Sequence, residues 1–303
     1  MQRLADLHWL LCSPSLISSA PLPSNARLGD ATLGEHWWRS LPQAALDAQL
    51  AQWSPQQPFR LGRYAEQLMH TALTSLPQHR LLASQLPVRV NGISHGEFDF
   101  LLQADRGHCL HIELAVKIYL VLDTSTGVHC VGPGLRDAFD LKLDRLCHHQ
   151  LGLAASAAGR ACLPGGIHGD IEAMAWLRGW LFYRDPQQPA AAHPALADSH
   201  LRGWWRRWGE ELPQTRSDSR WRMLGKQDWL ASHAAAHDSG NLAALQAALA
   251  HYFAHSEVAV MVAEYAPPEA GGAELARGML VAAHWPPAGM LGQLQQKIAA
   301  LPR

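Results

Sequence analysis

The sequence predicts an α/β protein, a mixed β-sheet flanked by helices, and three observations carry that expectation. HIELAVKIYL alternates, with Ile112, Leu114, Val116, Ile118 and Leu120 on one parity and His111, Glu113, Ala115, Lys117 and Tyr119 on the other. That is the period of a strand with one wholly apolar face. EAMAWLRGWLFYR, residues 172–184, is apolar on both parities apart from Arg178, as a strand covered on both sides must be. Segments of helical period fall between such strands, an order that places helices on the faces of a sheet.

Taken in order, residues 1–54 read as helical, broken by PSLISSAPLPSN. The opening MQRLADLHWLLC carries an apolar patch, but Asp6 and His8 interrupt it, so an amphipathic helix is expected rather than a signal peptide. LGRYAEQLMHTALTSL, 61–76, repeats Tyr64, Leu68, Ala72 and Leu76 at helical spacing. Strands are expected at RLLASQLPVRV, GEFDFLL and HCLHIELAVKIYLVL, then a turn-rich loop, STGVHCVGPG, and a second helix, RDAFDLKLDRLCHHQLGL. Beyond the buried strand, DPQQPAAAHPALADS, 185–199, marks a boundary. The chain thus divides into a helical N-terminal segment (1–54), a core (55–185) and a Trp-rich C-terminal α+β region (186–303). In the last, a helical stretch to about residue 254 precedes strands EVAVMVAEY and ARGMLVAAHW.

Composition narrows the function classes. The chain of 303 residues is 48% hydrophobic and 17% charged, an ordinary globular balance. A net charge of −1 gives no global basic field, so any nucleic-acid partner must be held by a local patch. The five cysteines are odd in number and lack CxxC spacing, which reads as free thiols in a reducing compartment rather than a disulfide frame or zinc site. The eighteen histidines include no HExxH. No apolar run is long enough to span a bilayer, so a cytoplasmic location without a membrane partner is expected.

The chemistry concentrates on one hairpin. QADRGHCL joins GEFDFLL to HIELAVK and supplies a turn at Asp105-Arg106-Gly107, with Gly107 at the left-handed position of a three-residue loop. Centring the hairpin on Arg106 sets Asp99 opposite Glu113, Glu97 opposite Ala115 and His95 opposite Lys117. Opposed Cβ atoms lie roughly 5 Å apart and like charges there are destabilising. Two carboxylates at that separation repel by roughly 3 kcal/mol at an effective dielectric near 20. A divalent cation offsets this naturally. Neutralisation by Lys117, or by an arginine from elsewhere, is the plainer alternative.

These residues resemble the PD-(D/E)XK nuclease superfamily, in which a strand aspartate, then a strand glutamate with a nearby lysine, bind metal and cut phosphodiesters. The helix, three strands, helix, strand order over about residues 58–185 is similar to that restriction-endonuclease-like core. The whole chain also resembles a bacterial family known as domain-of-unknown-function family 1853, through its GE-x-D and HxE-x-AVK-x-YL blocks. The resemblance implies that Asp99 and Glu113 hold Mg²⁺ or Mn²⁺, with the Leu114 carbonyl a further ligand by analogy. It implies that Glu66, in GRYAEQL, is the glutamate of the first helix; a surface pairing with Arg63 or His70 is the alternative. DNA or RNA is the implied partner.

The lysine departs from the pattern. Glu-x-Lys would place it at position 115, which is Ala115. Lys117 keeps the right face one strand pair further on, can reach part-way back, and is the candidate catalytic lysine. Four strand residues span about 13 Å, against about 6.6 Å for two. The second helix offers a substitute: Lys142, Arg145 and His149 share a face that could contact phosphates, or could equally be solvated. Gln150 lies towards the apolar stripe, similar to a helix glutamine of RecB-like nucleases, but the tyrosine expected four residues on is Ala154.

Two weaker signals remain. GPG at 132–134 could admit a phosphate near a helix start, or be a turn. In RGWWRRWGEEL, Trp204, Trp205 and Trp208 among arginines suit either base stacking or a core. The expected function is metal-dependent hydrolysis of nucleic-acid phosphodiesters; the alternative is an inactive relative of that fold used for binding or assembly.

Overall fold

The computed structural model describes residues 2–54, 59–104, 107–165, 167, 169–185, 187, 193–232 and 239–302. Helix α1 (Gln2–Cys12), strand β1 (Ala26–Leu28) and helices α2 (Ala31–Ser40), α3 (Gln43–Ala51) and α4 (Leu61–Ser75) come first. Strands β2 (Arg80–Val90), β3 (Ile93–Gln103), β4 (Cys109–Thr124) and β5 (Gly127–Val131) follow. Helix α5 (Phe139–Arg145) runs into a π-helical turn at Leu146–Gln150; α6 (Ala157–Ala161) and β6 (Ile171–Tyr183) come next. The chain continues through β7 (Leu201–Arg207), β8 (Arg220–Leu224), α7 (Leu242–His255), β9 (Val260–Tyr265), β10 (Glu274–Val281) and α8 (Ala288–Ala299). The expected mixed sheet flanked by helices is observed. No helix among the described residues is long and apolar enough to cross a membrane.

Two compact units divide the chain. The first comprises Met1–Lys117, Lys142–Gly179 and His193–His200; the second comprises Ile118–Leu141, Trp180–Ala192 and Leu201–Arg303. In the first, β2, β3 and β4 are antiparallel neighbours, β6 follows β4, and β1 pairs parallel with β6. Helix α4 forms because Ala65, Leu68, Met69, Ala72 and Leu73 recur on one buried stripe. Phe98, Leu101, Val88, Leu153 and Ile171 close a core. At the other end of this unit, Trp37 stacks on Trp176 with centroids 5.0 Å apart. The Trp176 indole donates to the Leu10 carbonyl at 2.9 Å. Arg178, fully buried, donates to the carbonyls of Leu10 at 3.2 Å and Leu11 at 2.9 Å. Those are orphan carbonyls of the last turn of α1, so a strand arginine serves as the helix cap.

In the second unit β7 pairs parallel with the end of β6 and with β10, and β10, β9 and β8 run antiparallel. Its core gathers Trp204, Trp221, Leu249, Val262 and Leu280. Glu264, fully buried, is saturated by the Thr215 amide (2.7 Å) and the Thr215 and Ser219 hydroxyls (2.7 and 2.5 Å).

Two expectations are corrected here, and one open alternative is decided. STGVHCVGPG is not all loop, because Gly127–Val131 forms β5 and pairs with the end of β4. The tryptophan-rich stretch is strand rather than helix: Trp204 and Trp205, each 2% exposed, point to opposite faces of β7, and both faces are covered. Rings so buried cannot stack on bases, while Trp208 stacks on Phe253. The GPG segment is a turn, closed by the Gly132 amide on Asp137 and the Leu135 amide on Gly132 (both 2.8 Å), with α5 starting only at Phe139.

Candidate active site

Strands β3 and β4 pair as Phe100 with Ile112, Leu101 with His111, Leu102 with Leu110 and Gln103 with Cys109. This is the register expected from a loop centred on Arg106. Gly107 has φ +80°, the left-handed position anticipated for it. Asp105 and Arg106 lie outside the described residues. One rung beyond these pairs, the Leu114 amide donates to the Asp99 carboxylate at 2.8 Å. The hairpin therefore brings Asp99 and Glu113 together.

Glu113 is 2% exposed and both its oxygens are held. His111 Nε2 meets Oε1 at 2.7 Å, and the Gln150 amide donates to Oε2 at 2.5 Å. His111 and Glu113 are two residues apart, hence on one strand face. The His111 ring is fully buried with Phe98 edge-on at 4.8 Å, and Nδ1 has no hydrogen-bond partner among the described residues. A proton on Nε2 satisfies both facts, since it donates to the carboxylate and leaves Nδ1 as a bare acceptor.

Lys142 completes the chain of contacts. Its ammonium donates to Gln150 Oε1 at 2.8 Å, so Gln150 links Lys142 to Glu113. Burial pulls the Lys142 pKa down, Glu113 and Asp99 oppose that, and Lys117 and Arg145 add to it. Burial pushes the Asp99 carboxyl up to about 8, with Glu113 and Glu66 adding to the shift and the Leu114 amide and Lys142 opposing it. Glu66, on α4, is also pushed up by burial and by Glu97, against Arg63 and a hydrogen bond from Gln85. It borders a cavity of about 600 Å³ shared with Trp53, Arg63, His70, Gln85 and Phe100.

Glu113, Glu66 and Lys142 are thus each within electrostatic reach of Asp99, and Lys142 is also within reach of Glu113. Lys117 is half-buried on β4, and its charge is felt at Lys142. β6 runs so close at that point that a Cβ on Gly179 would lie 2.0 Å from the Lys117 carbonyl oxygen. The three basic residues expected on one helix face are separated. Lys142 turns inward to the carboxylates, while Arg145 and His149 are exposed. The π-helical turn after Arg145 changes the angular position of His149 relative to the two residues before it. His111 was missed by sequence reasoning, although its signal stands in the sequence as HxE on a strand.

The Asp99 shift fixes a pH dependence. A carboxyl raised from 3.8 to about 8 in the folded state stabilises the protein most below pH 3.8, and that contribution is lost as pH rises through about 8. Each pH unit within that window removes at most about 1.4 kcal/mol. Urea unfolding of Asp99→Asn across the window is expected to show a flatter pH dependence than wild type, with the variant gaining relative stability towards pH 8. Parallel curves would contradict the burial described here.

A family model described as Domain of unknown function (DUF1853) matches residues 5–281. No curated protein and no solved structure matches the chain. The chain belongs to the DUF1853 family.

Proposed function

We propose that this protein is a metal-dependent nuclease with a PD-(D/E)XK-like core, cleaving phosphodiesters of DNA or RNA by in-line displacement. The observation that carries the reading is the buried pairing of Asp99 with Glu113 beside Glu66 and Lys142, an arrangement whose electrostatic strain a divalent ion relieves. The donors are carboxylate oxygens, which suit Mg²⁺ or Mn²⁺. Among the described residues Glu66, Asp99 and Glu113 do not close into a three-ligand cluster. That spread matches magnesium, which takes one or two carboxylates and completes its shell with waters and phosphate oxygens.

When bound there, the ion supplies Lewis-acid stabilisation and a more acidic water. The chain supplies the rest. His111 and Gln150 fix both oxygens of Glu113, leaving the second lone pair of each to ligate. Lys142 places a positive charge beside the carboxylates, the role that Ala115 cannot fill and that Lys117 approaches only from further along the strand. Its ammonium steadies the attacking water or the charge developing on phosphate while the bond to the leaving oxygen breaks. Arg145 and His149 are exposed on the same helical segment and would meet the nucleic-acid backbone.

The test incubates the full chain with single- and double-stranded DNA and RNA in Mg²⁺, Mn²⁺ or EDTA. Metal-requiring cleavage, lost in Asp99→Ala, supports the reading. One observation favours a second reading, a binding or assembly module: Glu113 and Asp99 are already satisfied by His111, Gln150 and the Leu114 amide. Binding that survives EDTA and Asp99→Ala, with no cleavage, would select it.

Two further outcomes are expected of the enzyme. Asp99 must lose its proton to ligate, so cleavage rises as pH approaches about 8, provided the metal does not precipitate. Gln150→Leu unlinks Lys142 from Glu113 and is expected to lower metal affinity or rate by roughly 10–100-fold. An unchanged Mn²⁺ titration in that variant would remove Gln150 from the site.

A further inference from the structure

We propose that His8, Cys12 and Glu35 form a transition-metal site between α1 and α2, with Zn²⁺ the ion their donor set fits. Among the described residues this is the group of three side chains whose ligand atoms all lie within 4.8 Å of one another. His8 and Cys12 are four residues apart on α1 and so share one helical face. Glu35 comes from α2, and Gly34 explains how it gets there. A Cβ on Gly34 would lie 1.9 Å from the Leu11 carbonyl oxygen, so only glycine lets the helices approach closely enough to set Glu35 against Cys12.

The local contacts orient all three donors. His8 Nε2 is 3.7 Å from Glu35 Oε1, and the Cys12 thiol hydrogen-bonds Glu35. The His8 ring stands edge-on to Trp38 with centroids 4.8 Å apart, and Arg39 holds the other Glu35 oxygen at 3.5 Å. Tetrahedral zinc with bonds of about 2.0–2.3 Å separates its ligand atoms by roughly 3.3–3.8 Å, so the cluster needs little closing. Thiolate, carboxylate and neutral imidazole cancel the ion's charge, which lets the site coexist with Arg39 and the nearby Arg178. A sulfur–nitrogen–oxygen set is too soft for Mg²⁺ or Ca²⁺. Three protein ligands leave a fourth position for water.

No ligand is shared with the carboxylate hairpin, and the two sites are separable by experiment. Full-length protein stripped with a chelator and dialysed is titrated with Zn²⁺ by calorimetry, and with Co²⁺ while thiolate-to-cobalt charge-transfer absorption is followed. One equivalent, a thiolate band, and Zn²⁺ protection of Cys12 from alkylation in peptide mass spectrometry are expected. Cys12→Ser should lose the band, and both Cys12→Ser and His8→Ala should weaken zinc binding by about tenfold or more, while Asp99→Asn keeps band and affinity. His8 is exposed, so His8→Ala tests the site even if the cysteine variant misfolds. Absence of zinc uptake, or uptake without a thiolate band and unmoved by either variant, overturns the proposal.

Discussion

Asp99→Asn is expected to reduce the proposed Mg²⁺-dependent cleavage by on the order of 10³-fold or more. An ion clamped by the acidic pair contributes several kcal/mol of transition-state stabilisation, and each tenfold in rate corresponds to about 1.4 kcal/mol. The asparagine carbonyl can still accept from the Leu114 amide, which now holds Asp99 at 2.8 Å, so the hairpin keeps its register. The variant also removes a carboxyl that burial pushes up to about 8. Activity should therefore collapse while stability near pH 8 holds or rises. That divergence separates a lost ligand from a broken fold. Single-turnover rates against Mn²⁺ concentration, beside urea unfolding of the same preparations, provide the measurement. Cleavage equal to wild type would assign the activity to a contaminant and end the nuclease reading.

Arg178→Ala is expected to destabilise the protein by about 3 kcal/mol. The guanidinium shares the Leu10 carbonyl with the Trp176 indole and satisfies the Leu11 carbonyl, which costs about 1–3 kcal/mol when left unpaired. It also sits over the Trp176 ring, 4.7 Å from the centroid, so truncation opens a cavity as well. An opposing term must be subtracted: burying the cation is itself costly, and it pulls the pKa of Arg178 down to about 9. Arg178→Met keeps much of the volume but not the donors, so its loss should fall between wild type and the alanine variant. Guanidinium titrations of all three proteins decide this. An alanine variant within about 0.5 kcal/mol of wild type would show that the cap contributes little.

The hairpin was legible because its information is local. Alternation fixes which side chains share a face, one glycine fixes the turn, and together they fixed the pairing of β3 with β4. The end of β4 was readable for the same reason, and β6 because its run is apolar on both parities apart from Arg178. The tryptophan-rich third was misread because Trp204, Trp205 and Trp208 also fit helical spacing, and a strand covered on both faces has no alternation to betray it. β5 hid among turn-forming glycines, and α8 offered too weak an apolar stripe to be singled out. At the candidate site the acids, Lys142 and Gln150 could be picked out in the sequence, but the contacts that join them could not. Gln150 and Lys142 reach Glu113 through a distortion of the helix backbone that residue identities do not announce.

That distortion has a consequence for how tolerant this segment is to changes of length. On a regular α-helix Lys142 and Gln150, eight positions apart, would point about 80° away from each other. The Leu151 amide instead reaches back to the Leu146 carbonyl at 2.9 Å, a wider loop that holds one extra residue. Straightening the turn without changing its length would swing the glutamine away from the ammonium. Deleting one residue between Lys142 and Gln150 would instead let the helix wind normally with the two seven positions apart, only about 20° from one face. Relatives of this chain can therefore make the lysine and glutamine converge in two ways, eight positions apart across such a turn or seven apart on a regular helix.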